Sequence, residues 1–515
     1  MGRVQSLRIG VSAQMLPIIF GYGSNLLATP FIVSQLGLHD FGLWALTGAL
    51  AQFGVLLDLG VTRSINRFVA LYHARGERHN ERAVVGGSLM IITALSLILL
   101  CVPLLIPGIL SDAIHADSPE LARTLFLCSV AIMATGLLGA ILGSASFGRG
   151  RMVAGNVGVT IQRSAVVIGG VIALIIEPTL EWFAVGSVIG GIVGLAAIVI
   201  AIWIDEREIV IGMPSRAVMP DLLSFGLKGQ MMGVFEIVLF QSGKIIAGAV
   251  IGPAAAGAYE LGSRLALGAR AVGTTASVAL TTHLTRQFAT GGADAVRGDY
   301  VALTRKNTAV SIYVLFLLAA TTASAVPLWL GNYDHDISVI IALLAIGFAV
   351  NVSTGVATAS SLALDRVGIA LVGGAFTSVL AIAAAIPLAM GFGIIGLSVA
   401  FIAAFVLGSA LFVYLLQRVA DIPAGDFING VSGPFVVAFM SLAVSTPIGF
   451  AFSPQDRAAA IVPFILGAGV FTAIYLTLGW RFGCLPKAPK LPFFGRAKKT
   501  ADTEHDLESL SQPVE

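Results

Sequence analysis

The chain has 515 residues, 57% of them hydrophobic and 11% charged, with 30 Lys+Arg against 28 Asp+Glu for a net charge of +2. A soluble chain carries roughly a quarter of its residues as charges, so this composition excludes a soluble enzyme. At ~20 apolar residues per spanning helix it allows up to about fourteen spans and little else.

The sequence opens on a basic segment, MGRVQSLRIG, followed by an apolar run from about Val11 to Val33. That run is too long for a signal-peptide core and lacks a small-residue cleavage site, so it is expected to stay as the first span. Apolar runs mark spans near 11–34, 41–70, 83–108, 120–146, 154–176, 181–204, 222–250, 254–288, 307–330, 337–362, 367–390, 394–417, 427–451 and 458–480. Runs 41–70 and 254–288 exceed the length a span needs and must tilt or project as helices. The fold class is therefore an all-α polytopic membrane protein with about fourteen transmembrane helices.

The linkers alternate in charge. One set holds Arg75, Arg78 and Arg82, then Arg149 and Arg151, Arg207 and Arg216, Arg286 to Lys306, Arg366 and Arg418. The other reads QLGLHD, SDAIHADSPE, EPTLE, GPAAAG, GNYDHD, GFG and SPQDR, with Arg457 and the nearby Arg123 as its cations. Because cytoplasmic loops carry the Lys/Arg excess, both termini are expected inside. No outer loop is long enough to house an active site. The tail from Arg481 begins basic, which suits an anionic leaflet, and ends acidic and polar, which reads as disorder. Cys101, Cys128 and Cys484 lie far apart and the histidines are scattered, so neither a disulfide framework nor a zinc site is supported, and no metal or cofactor is expected.

An internal repeat sets the domain organisation. Gly10, Gln14 and Met15 recur 216 residues on as Gly226, Gln230 and Met231; Gly37, Gly42, Trp44 and Gly76 recur 215 on as Gly252, Gly257, Tyr259 and Gly291. Six spans separate the copies, an even number, so both halves share one topology and are related by an axis along the membrane normal. The expected domains are a six-helix lobe over 1–210, a second over 211–420, two additional helices over 421–480 and a cytoplasmic tail over 481–515. Glycine runs such as Gly136, Gly139 and Gly143, or Gly190, Gly191 and Gly194, let helices approach closely.

Four cations fall inside spans, Arg163, Lys244, Arg264 and Arg270, beside the acids Asp58, Glu236 and Glu260. A charge at mid-bilayer costs ~2.5–3.5 kcal/mol even on insertion scales, so each should face a cavity or a partner. Spans seven and eight turn near Gly252 and Pro253, which sets Lys244 beside Glu260 to Arg264 and Glu236 beside Arg270. Two compensated pairs is one reading. The other is a cationic cavity between the lobes in which Arg163, Lys244, Arg264 and Arg270 bind a diphosphate, as Arg does best. Asp58, Thr62 and Asn66 form an i, i+4, i+8 stripe; Asp58 is a candidate coupling site or a helix cap. Arg63 and Arg67 form a second stripe, either as snorkelling anchors or as a cytoplasmic entrance for lipid phosphate.

The stretch Leu36 to Trp44 (LGLHDFGLW), Leu57 to Gly60 (LDLG), Arg67 and the loop from Ala70 to Gly76 resemble the N-terminal region of polysaccharide-transport, O-antigen-flippase-like proteins of the multidrug/oligosaccharidyl-lipid/polysaccharide exporter superfamily. The resemblance is specific over about residues 1–85. It implies a multi-pass protein of the bacterial inner membrane, not an enzyme. Such a protein moves polyprenyl-diphosphate-linked oligosaccharide to the outer leaflet for cell-surface polysaccharide synthesis. The implied partners are that lipid-linked substrate, membrane lipid and polysaccharide-assembly enzymes, with no nucleic acid. The first span lacks the deep arginines expected of lipid II flippases, which argues against that branch. The alternatives are a cation-coupled multidrug-type antiporter of the same superfamily and, in another class, an integral-membrane glycosyltransferase, ligase or polymerase.

Overall fold

The computed structural model describes residues 2–485 except 59, 209–210, 216–217 and 453. The side chains of 2–22, 276–283 and 285–297, and of single residues that include Arg63, lie outside the description. So does the expected tail from residue 486 on.

Among the described residues the chain forms fifteen α-helices and no strand. The first half comprises α1 (Gly2–Gln52), α2 (Val61–Ala74), α3 (Arg78–Leu105), α4 (Pro107–Ile114), α5 (Pro119–Gly148), α6 (Met152–Ile176) and α7 (Leu180–Glu206). The second comprises α8 (Met219–Val250), α9 (Pro253–Ser311), α10 (Tyr313–Leu330), α11 (His335–Ser353), α12 (Gly355–Ala363) and α13 (Val367–Ala420), and is followed by α14 (Ala424–Phe452) and α15 (Arg457–Arg481). Ten helical stretches among the described residues are long and apolar enough to cross a membrane. Their outward faces carry bare aliphatic side chains, Leu105 at 78% and Ile175 at 69% exposure among them. Water would penalise such a surface and lipid would not.

The helix ends follow local chemistry. Four helices leave the acidic linkers from side-chain caps: Ser118 accepts from Leu121 N (3.2 Å), Thr179 from Trp182 N (3.4 Å), Asp334 from Ile337 N (2.9 Å) and Asp456 from Ala459 N (2.8 Å). Each supplies an acceptor to an otherwise orphaned helical donor. The long helices are not straight rods. α1 turns at Gly37 (φ 76°, ψ 173°) and α13 at Gly393 (φ 59°, ψ −144°), and Gly252 between α8 and α9 has φ 134°, ψ 170°. Gly37 and Gly252 are the paired turn positions of the sequence repeat, and both take a backbone that only glycine adopts readily. Within α9, Ser311 Oγ donates to Gly273 O at 2.9 Å. A straight helix would hold these residues more than 50 Å apart, so the chain doubles back into two packed arms.

The continuous run expected over 41–70 is broken. A 3-10 turn, Phe53–Asp58, separates the second arm of α1 from α2, and Gly60 is left-handed (φ 73°). Asp58 Oδ1 accepts from Gly60 N at 2.6 Å, the turn-stabilising bond that an aspartate makes two residues on. The Asp58–Thr62–Asn66 stripe is therefore not one helix face.

Close helix approach follows the glycines in part. At Gly190 an added Cβ would lie 2.1 Å from Ala165 O and at Gly194 2.6 Å from Gln162 Cα, so α7 lies on the backbone of α6. Gly139 and Gly143 instead face side chains, with an added Cβ at 2.2 Å from Gln162 Oε1 and 2.9 Å from Val159 Cγ2, and Gly136 has nothing within 4 Å. The linker into the second half is held against α3: Glu208 pairs with Arg82, with Arg78 at 3.3 Å and with Arg149 at 3.5 Å. Gly212 lies against Gly86, where a Cβ would meet Gly212 O at 1.7 Å. Arg149 also pairs at 2.8 Å with Glu81, whose side chain is 2% exposed.

Candidate functional site: a cationic cavity between the halves

Between the halves lies a cavity of about 680 Å³, walled by α1, α5 and α6 on one side and α8 and α9 on the other. Gly252 sets its ionic wall. Lys244 and Glu260 stand eight residues before and after that turn, so the hairpin brings them to equal depth, and Lys244 Nζ meets Glu260 Oε2 at 2.5 Å. Arg264, one helical turn further along α9, gives a terminal nitrogen to Glu260 Oε1 at 2.8 Å. Its other terminal nitrogen crosses to the first half, 2.9 Å from Thr29 Oγ1 and 3.5 Å from Asn25 Oδ1, and the guanidinium lies 5.6 Å from the Phe41 ring centroid. One carboxylate thus serves two cations.

Arg163 reaches the same cavity from α6 and makes no ion pair among the described residues. Arg163, Lys244 and Arg264 therefore face one acid, Glu260. Arg163 is exposed to the cavity, whereas Lys244, Glu260 and Arg264 are largely buried, where charge-assisted bonds are stronger.

The other expected site residues lie elsewhere. Arg270 does not line this cavity. It donates to Asn351 Oδ1 from Nε (3.4 Å) and a terminal nitrogen (3.2 Å), and it lies over Phe240 (5.0 Å) and Phe348 (5.9 Å). Where the depth arithmetic set Glu236 beside it, the structure supplies Asn351 from α11, and Glu236 is exposed. Asp58 is buried and engaged with its own turn through Gly60 N; the helix α2 that follows has Gly60 at its N-cap and no side-chain cap. Arg67 is exposed, with its guanidinium 4.2 Å from the Phe225 ring of α8. The side chain of Arg63 lies outside the described residues.

Sequence reasoning missed the uncharged lining: Asn25, Gln52, Ser129, Gln162 and Gln241, with Trp44 noted as a repeat marker and within the LGLHDFGLW stretch but not as a lining residue. Its signal was present, since polar side chains recur on otherwise apolar spans, Gln162 beside Arg163 and Gln241 three residues before Lys244.

Residues 7–280, more than half of the chain, match the family described as polysaccharide biosynthesis protein. The chain belongs to this family. Among solved structures it is similar to the lipid II flippase MurJ in an inward closed conformation, with 15% identity, TM-score 0.64, and 92% of this chain and 99% of that one covered. It is also similar to an inward-facing multidrug resistance MATE family transporter of the MOP superfamily (14% identity, TM-score 0.57, 79% and 94% covered). A MOP superfamily transporter from Pyrococcus furiosus is a further likeness (14%, 0.54, 82% and 98%). At these identities the likeness shows the fold, which is that of MOP-type transporters. No curated protein matches by sequence. This member of the polysaccharide biosynthesis family is thus a multi-pass membrane protein with a transporter fold and a cationic cavity between its halves.

Proposed function

We infer that the chain is a flippase that carries polyprenyl-diphosphate-linked oligosaccharide across the bacterial cytoplasmic membrane by alternating access, for cell-surface polysaccharide synthesis. The observation that carries this reading is the cavity's charge: Arg163, Lys244 and Arg264 against Glu260. A diphosphate needs such a surplus and a cationic drug would be repelled by it. The basic linkers orient the protein with both termini in the cytoplasm. Lobes over 1–210 and 211–420 rock about the cavity, 421–480 adds two helices, and about fourteen helices cross in all. Arg163 and Arg264 are the diphosphate ligands, and Lys244 holds Glu260 so that it does not neutralise Arg264 alone.

The test is deletion of the gene followed by complementation. The reading expects glycan-linked lipid to accumulate on the inner leaflet after deletion and to clear on complementation. Normal glycan export with altered drug susceptibility would move the assignment to an antiporter.

A further inference from the structure

The two walls of the cavity differ in chemistry. The α8–α9 wall holds the paired charges Lys244, Glu260 and Arg264, with Arg163 facing them from α6. The opposing wall presents Trp44, Gly48 and Gln52 at i, i+4, i+8 on the second arm of α1, so the three share one helix face. Trp44 is braced by an edge-on contact with Phe183 (5.2 Å between centroids, 76° between planes). Gln52 is exposed to the cavity.

Gly48 decides what this face is for. A glycine inside a helix weakens it relative to alanine, and most inter-helix glycines here are explained by a neighbour. Gly42, on the same arm, would push a Cβ to 1.8 Å from Pro253 O. Gly48 would meet nothing within 4 Å, and neither would Gly136 across the cavity on α5. Both line the cavity. The space beside them is not used for packing and, because both line the cavity, it is open to a ligand. A second observation points the same way: Ser129 on α5, 5% exposed and lining the cavity, has a hydroxyl with no hydrogen-bond partner among the described residues.

We propose that the Trp44–Gly48–Gln52 face is a saccharide platform that takes an uncharged pyranose. The proposal rests on the flippase reading and adds the substrate's sugar to it. A pyranose has an apolar C–H face that suits an indole, and hydroxyls that both donate and accept, which suits a glutamine amide. The bare backbone at Gly48 and Gly136 lets the ring lie flat between the walls. The diphosphate then reaches Arg163 and Arg264 while the first sugar rests on α1. Among the described residues Glu260 is the one carboxylate that lines the cavity, and it is already paired with two cations.

Purified full-length protein in nanodiscs tests this with two probes, bare polyprenyl diphosphate and polyprenyl diphosphate bearing one N-acetylhexosamine. Gly48→Ala should fold at least as well as the native chain by thermal unfolding. It should nonetheless weaken the sugar-bearing probe about tenfold, with the bare probe changed less than about twofold. Trp44→Ala should show the same split. Equal weakening of both probes, or unchanged binding of both, overturns the platform and leaves the flippase reading standing. Failure of the native protein to bind either probe overturns the flippase reading and the platform with it.

Discussion

The halves meet at both ends of the cavity, but by different means. At the end with acidic linkers the contact is backbone on backbone, between the helix starts that follow the turns at Gly37 and Gly252. Gly42 lies against Pro253 and Gly257 against Leu38 O, where a Cβ on Gly257 would come to 2.4 Å, and Trp329 Nε1 donates to Leu26 O at 2.7 Å. At the end with basic linkers the contact is made by the broken segment. Gly60 abuts Gly226, where a Cβ would come to 2.1 Å from the carbonyl oxygen. Gln230 Nε2, from α8, donates to Val55 O inside the 3-10 turn at 3.2 Å. A segment that has left its helical hydrogen bonds and borrows a donor from across the interface is the easier one to release. The basic end is therefore expected to open at lower cost, as a carrier that loads from the cytoplasmic leaflet requires.

The largest effect should come from wedging open the tighter end. Gly42→Val forces side-chain volume into backbone and should cost about 1–3 kcal/mol of packing. It should lower Tm and make cysteines placed near the acidic end of the cavity reactive to a membrane-impermeant thiol reagent. Native-like Tm and labelling would mean that this end is not closed by backbone contact.

A smaller effect is expected from Gln230→Ala, which leaves the Val55 carbonyl without its partner, at a cost of about 1–3 kcal/mol if it stays buried. The protein should escape that cost by opening. Cysteines at the basic end should label faster while the acidic end is unchanged, and the reverse pattern would undo the comparison between the ends.

The smallest effect concerns acid. The hydrogen bond from Arg82 holds the Glu208 carboxyl below the usual carboxylate range; burial opposes this, and the charges of Arg82, Arg149 and Arg78 add to it. With its folded value lowered, Glu208 contributes stability that is complete above an ordinary carboxylate pKa of ~4.3 and is lost as pH falls through the lowered value. Because the pair is partly exposed, the contribution is small. Glu208→Gln should flatten Tm against pH in that acid window and leave Tm differences near neutrality modest.

What was legible in the sequence follows from local physics. The apolar runs located the helices, and the Gly252–Pro253 turn fixed the depth at which Lys244 meets Glu260, so that ion pair could be read from counting alone. Asp58 could have been read as a turn, since an aspartate two residues before a glycine carries that signal; an unbroken helix over 41–70 hid it. Arg270 could not be read correctly, because Asn351 is 81 residues away and only tertiary packing brings them together. Gly136 and Gly139 look alike in sequence, yet one opens the cavity and the other packs on Gln162. That distinction depends on the neighbouring helix.

The central claim is that the unneutralised cations of the cavity carry the substrate's diphosphate. It is tested most directly by translocation of a labelled polyprenyl-diphosphate oligosaccharide in proteoliposomes containing the native chain, Arg264→Ala or Arg264→Lys. Alanine should abolish most of the flux with protein insertion unchanged, and lysine should restore only part of it, since a point charge cannot reproduce the planar two-donor fork. Native flux from the alanine variant, and from Arg163→Ala beside it, would contradict the account.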